Sequence, residues 1–174
     1  IDQGLNTHMK RYTVITTFNQ QGLDKYGQLM IKTFEQYWPN FIDLVVYTEN
    51  CNPVITKSNV KIIDLIANSK HCKRFIKRHK NNPEANGGLG PHNEHIWKPN
   101  KHFKWQGLRF SYKVFSIFHA MQNIDTEWVI WVDADTLTHT HIPNNFLDIV
   151  SPSDCVITHL GRGDKYHSEC GWVG

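Results

Sequence analysis

The sequence predicts an α/β fold with a mostly parallel central sheet. Three observations predict it. Short β-branched or aromatic runs recur at residues 12–18 (YTVITTF), 44–47 (LVVY), 60–63 (VKII) and 128–132 (WVIWV). Stretches with apolar residues at helical spacing lie between them. Two of the runs, LVVY and WVIWV, are apolar throughout, as strands covered on both faces are. A chain of 174 residues is one domain's worth and long enough to bury a core without disulfide or metal staples. With 40% hydrophobic and 20% charged residues, disordered and collagen-like classes are excluded.

The elements follow in order. Residues 1–8 (IDQGLNTH) have no apolar period, and His8-Met9 is what a cloning junction leaves. They are expected to be a remnant, with residues 9–174 forming the single domain. The first strand is 12–18, and Asn19-Gln20-Gln21-Gly22 breaks it. Tyr26, Leu29, Met30, Thr33, Phe34 and Tyr37 then mark a helix that Pro39-Asn40 ends. Strands 44–47 and 60–63 complete a β-α-β-β opening.

Residues 70–80 hold six Lys or Arg in eleven positions. As a helix this segment is a solvated face. Its alternative roles are contact with a phosphate-bearing acceptor or membrane surface, and then nucleic acid. Residues 79–107 carry four Gly and three Pro, which forbid a regular element and suggest a mobile lid or a loose insertion. In 108–121, Leu108, Tyr112, Phe115, Phe118, Ala120 and Met121 set an apolar helix face, with Arg109, Lys113 and Ser116 on another. The strand 128–132 is the strongest strand signal, and Trp128 and Trp131 are expected in the core. Ile142-Pro143 then starts a turn into 146–150, and a last strand at 155–160 (CVITHL) follows. The chain stops inside the apolar CGWVG, so the domain is expected to be truncated there.

No apolar run approaches the ~18 residues that span a bilayer, and no leader pattern is visible. The chain is therefore read as soluble and cytoplasmic, without a transmembrane segment. Cys51, Cys72, Cys155 and Cys170 are widely spaced, without a CxxC pair, and are read as free thiols. A net charge of +3 suits an anionic ligand without demanding nucleic acid.

Asp133-Ala134-Asp135 follows the strand 128–132 directly. Ligands of open α/β sheets bind outside the carboxyl ends of strands. Two carboxylates there repel unless a cation lies between them, and Mg²⁺ or Mn²⁺ suits oxygen ligands that leave room for phosphate. Such a metal beside Arg109 and Lys113 describes a diphosphate site.

These residues resemble a known family. VIWVDADT is similar to the DxD motif of metal-dependent glycosyltransferases with the GT-A fold. YTVITTFN to LVVYTEN resembles the nucleotide-binding start of that fold. RFSYKVFSIFHA resembles the Arg- and Lys-bearing helix of bacterial and phage members. GRGDKYHSECGWVG resembles their segment ending in a Glu-x-Gly-aromatic motif. The likeness covers residues 12–174 apart from 79–107. It implies a three-layer α/β/α, Rossmann-like fold and the transfer of a sugar from a UDP- or GDP-linked donor to a saccharide, lipid-linked or protein acceptor. It further implies that Asp135 binds the metal, with Asp133 on the metal or on donor hydroxyls. Thr16, Thr17 and Phe18 would lie near base and ribose. Arg109 and Lys113 would face the diphosphate or sugar. Glu169 would contact donor or acceptor and is the candidate base, with Asp164 the remaining acidic candidate. A further metal ligand, frequently His in this family, would lie beyond Gly174.

Other readings compete. The carboxylates could cap the strand, and Arg109, Lys113 and Glu169 could be surface groups. His139 and His141, just past the DxD, are expected to be solvated or capping. His92, Glu94, His95 and His102 match no zinc spacing, since HNEH is not HExxH. A haloacid dehalogenase-type phosphatase needs Thr where Leu137 stands, and only 39 residues follow Asp135. A non-catalytic module that binds a nucleotide or sugar is the main alternative function.

Overall fold

The computed structural model describes residues 10–87, 106–161 and 171–174. The sheet is built from β1 (Lys10–Asn19), β2 (Asp43–Glu49), β3 (Val60–Asp64), β4 (Thr126–Val132) and β5 (Trp172–Val173). The strand order is β3-β2-β1-β4-β5. The first four strands run parallel, and β5 pairs antiparallel with β4. The arrangement is a mostly parallel α/β sheet, compatible with a Rossmann-like fold. Sequence order reverses at β1, which lies between β2 and β4. Such a switch point leaves a crevice at the carboxyl ends of the strands.

The strands' two-residue period sorts their side chains into two clusters. Val14, Leu44, Val46, Ile130 and Val132 belong to one. It includes Met30, Ile31 and Phe34 of α2 (Gln28–Tyr37). These residues recur at i, i+1 and i+4, so one stripe of the helix goes inward. Burying each contributes about 1.5–3 kcal/mol. Ile15, Val45, Tyr47 and Trp131 point into the other cluster. There they meet Leu65 of α3 (Leu65–Asn68), Cys72 of α4 (Lys70–His79) and Ala120 of α5 (Gly107–Asn123).

The first helix starts earlier than the sequence suggests. Asn19 caps α1 (Gln20–Gly22) through its side chain, which accepts from the Gly22 amide at 2.9 Å. A π-helical turn, Leu23–Gly27, then leads into α2. Gly27 lies so close to the Phe18 ring that a Cβ would come within 2.9 Å of it. Phe18 can therefore pack flat against this turn, and both border the crevice described below.

Two expectations are corrected. Residues 155–160 form no strand. Val156 and Ile157 are exposed, and only His159 makes a bridge, to Val173. The antiparallel partner of β4 is instead the two-residue β5, too short to leave a periodic signal. On α5 the predicted apolar face is also redrawn. Ser111, Ser116 and Ala120 are the helix's buried residues, whereas Phe118 and Met121 face outward. Trp128 and Trp131 are core residues as expected. Cys51 and Cys72 are buried free thiols, and Cys155 is an exposed one. After the Ile142-Pro143 turn, residues Phe146–Val150 form the short α6. Among the described residues, no helix is long and apolar enough to cross a membrane. The proposed remnant, the lid core 88–105 with its histidines, and Cys170 lie outside the described residues.

Candidate functional site

The carboxyl ends of β1 and β4 open into a cleft of about 750 Å³. Its wall draws on α1, the π-helical turn and β2 as well as on the three elements that bring the candidate residues. β1 contributes Thr17, Phe18 and Asn19, the β4 end contributes Trp131, Asp133 and Asp135, and α5 contributes Arg109 and Lys113. Register explains the grouping. Asn19 pairs with Glu49 across β1–β2, and Ile15 pairs with Trp131 across β1–β4, so all three strand ends emerge on one side.

Asp133 is held from several directions. Its Oδ1 accepts from Trp131 Nε1 at 2.6 Å and from Lys113 Nζ at 3.2 Å. The Lys113 ammonium also lies 4.7 Å from the Trp131 ring centroid, within cation–π range. The Asp133 amide donates to the Gly171 carbonyl at 2.8 Å, and its carbonyl accepts from Thr136 at 3.0 Å, which turns the chain out of the sheet. Ala134 is buried, so the carboxylates on either side of it are left toward the cleft. Asp135 is exposed and makes no hydrogen bond among the described residues. One carboxylate is thus positioned by the protein and the other is left open.

Arg109 and Lys113 are one helical turn apart on α5 and both reach the cleft. Arg109 donates to Gln106 across 3.4 Å and is otherwise turned to solvent. Thr17 lines the cleft through a hydroxyl that donates to the Tyr47 carbonyl at 2.7 Å. Thr16 does not line it. Its hydroxyl is fully buried and has no hydrogen-bond partner among the described residues. The cleft lies at the end of β1, where Thr17, Phe18 and Asn19 reach it in succession, and Thr16 sits one residue deeper in the sheet. His139 and His141 are exposed and do not line the cleft. His141 stands edge-on to Tyr37, 5.4 Å between ring centroids. Thr138 ties this loop to α2, accepting from Trp38 Nε1 at 2.9 Å. Glu169 and Asp164 lie outside the described residues.

Several cleft residues, Lys25, Tyr26 and Glu49 among them, have no counterpart among the sequence candidates. Glu49 ends β2 and faces both the cleft and an adjoining hollow of about 300 Å³. Asn50 follows it in a left-handed conformation (φ 58°), which turns the chain away and leaves the carboxylate at the rim. Burial pushes the Glu49 carboxyl up to about 7, against the lowering effects of the Thr17 hydroxyl at 3.2 Å and of the Arg109 charge. Its sequence signal is faint: an acid directly after an apolar strand that pairs with β1.

Among the described residues no three His, Cys, Asp or Glu side chains gather into a metal cluster. The two cleft carboxylates do offer an all-oxygen donor set of the kind Mg²⁺ or Mn²⁺ takes with few protein ligands, and one of them is unengaged. The residues therefore fit such an ion. No protein-family model matches the sequence, and a search of curated proteins finds no match.

Proposed function

We propose that this chain is a metal-dependent glycosyltransferase of the three-layer GT-A type, acting on a nucleotide-sugar. One observation carries the reading. A carboxylate pair ends β4 in the cleft at the sheet's switch point, opposite two cations of α5. Asp135, with Asp133, would hold Mn²⁺ or Mg²⁺. The bound ion would supply Lewis-acid stabilisation of negative charge on a leaving diphosphate.

The chain's own residues supply the rest. Lys113 stays beside Asp133 and would bring its positive charge close to phosphate oxygens. Arg109 presents a planar donor fork at the mouth of the cleft, suited to bidentate phosphate contact. Both add preorganised positive charge where the leaving group develops negative charge. Phe18 offers an apolar wall and Thr17, Asn19 and Glu49 a polar one, a combination suited to a nucleoside. Glu169 keeps its proposed contact with donor or acceptor, the acceptor being a saccharide, lipid-linked or protein hydroxyl. A cytoplasmic location suits the reduced thiols of Cys51 and Cys72.

Titration calorimetry with UDP and GDP, with and without Mn²⁺, tests the reading. Binding of either nucleotide that requires the metal and is lost in Asp135→Ala supports it. Metal-independent binding, or binding unchanged in Asp135→Ala, overturns the site. Release of nucleoside diphosphate from a nucleotide-sugar then separates an enzyme from a binding module.

A further inference from the structure

The outer surface of α4 and α5 combines two features that do not belong together on a water-facing wall. The first is charge. Lys70, Lys73, Arg74, Lys77 and Arg78 of α4, with Lys80 beyond it, are all exposed. They lie on the side of the helix away from its buried residue, Cys72. None of the six forms an ion pair among the described residues. Neither helix contains an Asp or Glu.

The second feature is apolar. Val114, Phe118 and Met121 of α5 are 61%, 44% and 70% exposed. Their i, i+4, i+7 spacing makes one stripe. It runs opposite Ser116 and Ala120, both fully buried. The helix therefore turns Ser116 and Ala120 inward, packs Tyr112, Phe115 and Ile117 against the core at its flanks, and leaves Val114, Phe118 and Met121 on its outer side. The inward turn has a reason, since it delivers Arg109 and Lys113 to the cleft. The outward apolar stripe has none within the described fold.

The two features share one face. Phe75 of α4 packs on Phe115 of α5, 5.6 Å between centroids, and His71 stands edge-on to Phe118 at 5.9 Å. The helices thus lie side by side, and both exposed sides point away from the sheet. We propose that this face docks on an anionic lipid bilayer, with the α4 cations on headgroup phosphates and Val114, Phe118 and Met121 in the interfacial zone. Charge complementarity selects an anionic surface. The apolar stripe then selects a bilayer. A nucleic-acid backbone would neutralise the cations but leave the stripe in water, whereas a lipid interface takes both. The inference rests on this surface alone and is independent of the glycosyltransferase reading.

Vesicle flotation with the full chain tests it, using phosphatidylcholine vesicles with and without phosphatidylglycerol. The chain is expected to float only with the anionic vesicles, less so at high salt. Arg74→Gln/Lys77→Gln/Arg78→Gln is expected to weaken partitioning about a hundredfold, from about 1 kcal/mol per basic residue. Val114→Ser/Met121→Ser is expected to weaken it about tenfold at unchanged charge. All five residues are exposed, so circular dichroism of both variants should match the parent. Three results would overturn the proposal. One is no partitioning into anionic vesicles. Another is parent-like partitioning of Val114→Ser/Met121→Ser, which marks a bare polyanion site such as nucleic acid would use. The third is a dimer by light scattering that Val114→Ser/Met121→Ser splits, which makes the face an interface between copies of the chain.

Discussion

Glu35 and Glu49 sit on opposite sides of the same question. Both are partly or wholly removed from water, yet they are treated differently. Glu35, on α2, accepts from the Thr56 amide and hydroxyl at 2.6 Å each and from the Lys57 amide at 2.9 Å. Burial pushes its carboxyl up, but those hydrogen bonds and the Lys57 charge together outweigh it, and it rests below the ordinary carboxylate value. Glu49 receives one 3.2 Å contact, from a Thr17 hydroxyl that a carbonyl holds more closely, and rests high. The first carboxylate is saturated and latches the loop before β3 onto α2. The second is under-satisfied and borders a cleft. Degree of satisfaction, more than burial, separates a structural charge from one kept available for a ligand.

The largest expected effect tests the saturated partner. Glu35→Ala leaves two backbone amides and a hydroxyl without their acceptor. We expect a loss of about 3 kcal/mol, or ~6–12 °C in Tm. A thermal melt that moves by less than ~2 °C would show that the loop is held by other contacts. The sign with pH is also fixed. A folded-state value below the unfolded one gives stability that is present above the unfolded pKa of 4.5 and is lost as pH falls through the folded value.

Glu49→Gln should do the opposite. The folded form keeps its proton up to about pH 7, while the unfolded chain releases it near 4.5. The native state thus binds more protons in that window, and stability falls as pH rises through it. The glutamine variant should melt higher than the parent at pH 8, by roughly 3 °C after allowing for solvent in the cleft. The difference should vanish below pH 4.5. If the nucleotide reading is right, the same variant binds nucleotide more weakly, so stability and function move in opposite directions. Equal melts at every pH would place Glu49 in bulk-like water and end the contrast with Glu35.

How far this was legible in the sequence depends on the residue. β4 and its carboxylates announce themselves, because an apolar run ending in charge has few other uses. Thr17 and Thr16 were indistinguishable, since the sequence does not show at which residue β1 emerges from the sheet into the cleft. The same holds for α5. Its 3.6-residue stripes are plain, yet Ser116 and Ala120 went inward because the crowded sheet and the cleft favoured the small and polar side. Glu49 carries only the faint signal of an acid after the apolar LVVY run, and its pairing with Asn19 brings it to the site. Residues 155–160 read as a strand from β-branched content, but β5 took the place beside β4 through two residues of pairing.

Tyr47 and His119 give a third, smaller case on the same strand as Glu49. The Tyr47 hydroxyl lies 3.0 Å from His119 Nδ1. Burial raises the tyrosine and lowers the histidine. Burial therefore favours the neutral form of both, and the two groups share one hydrogen bond whose direction follows the histidine tautomer. A protonated ring would reverse that bond, Nδ1–H donating to the phenolic oxygen, so the cost of charging the ring lies in its burial. Because the folded value of His119 lies below the unfolded 6.5, the unfolded chain takes up protons first as pH falls. Stability should therefore decline below pH 6.5, and His119→Gln should flatten that part of the melt profile by roughly 1–2 °C. The effect is small because the ring is only partly covered. A profile in which the parent is equally stable on both sides of pH 6.5, while His119→Gln changes nothing, would mean the ring accommodates its charge. The pair would then be an ordinary surface contact, and the rule drawn from Glu35 and Glu49 would not extend to histidine.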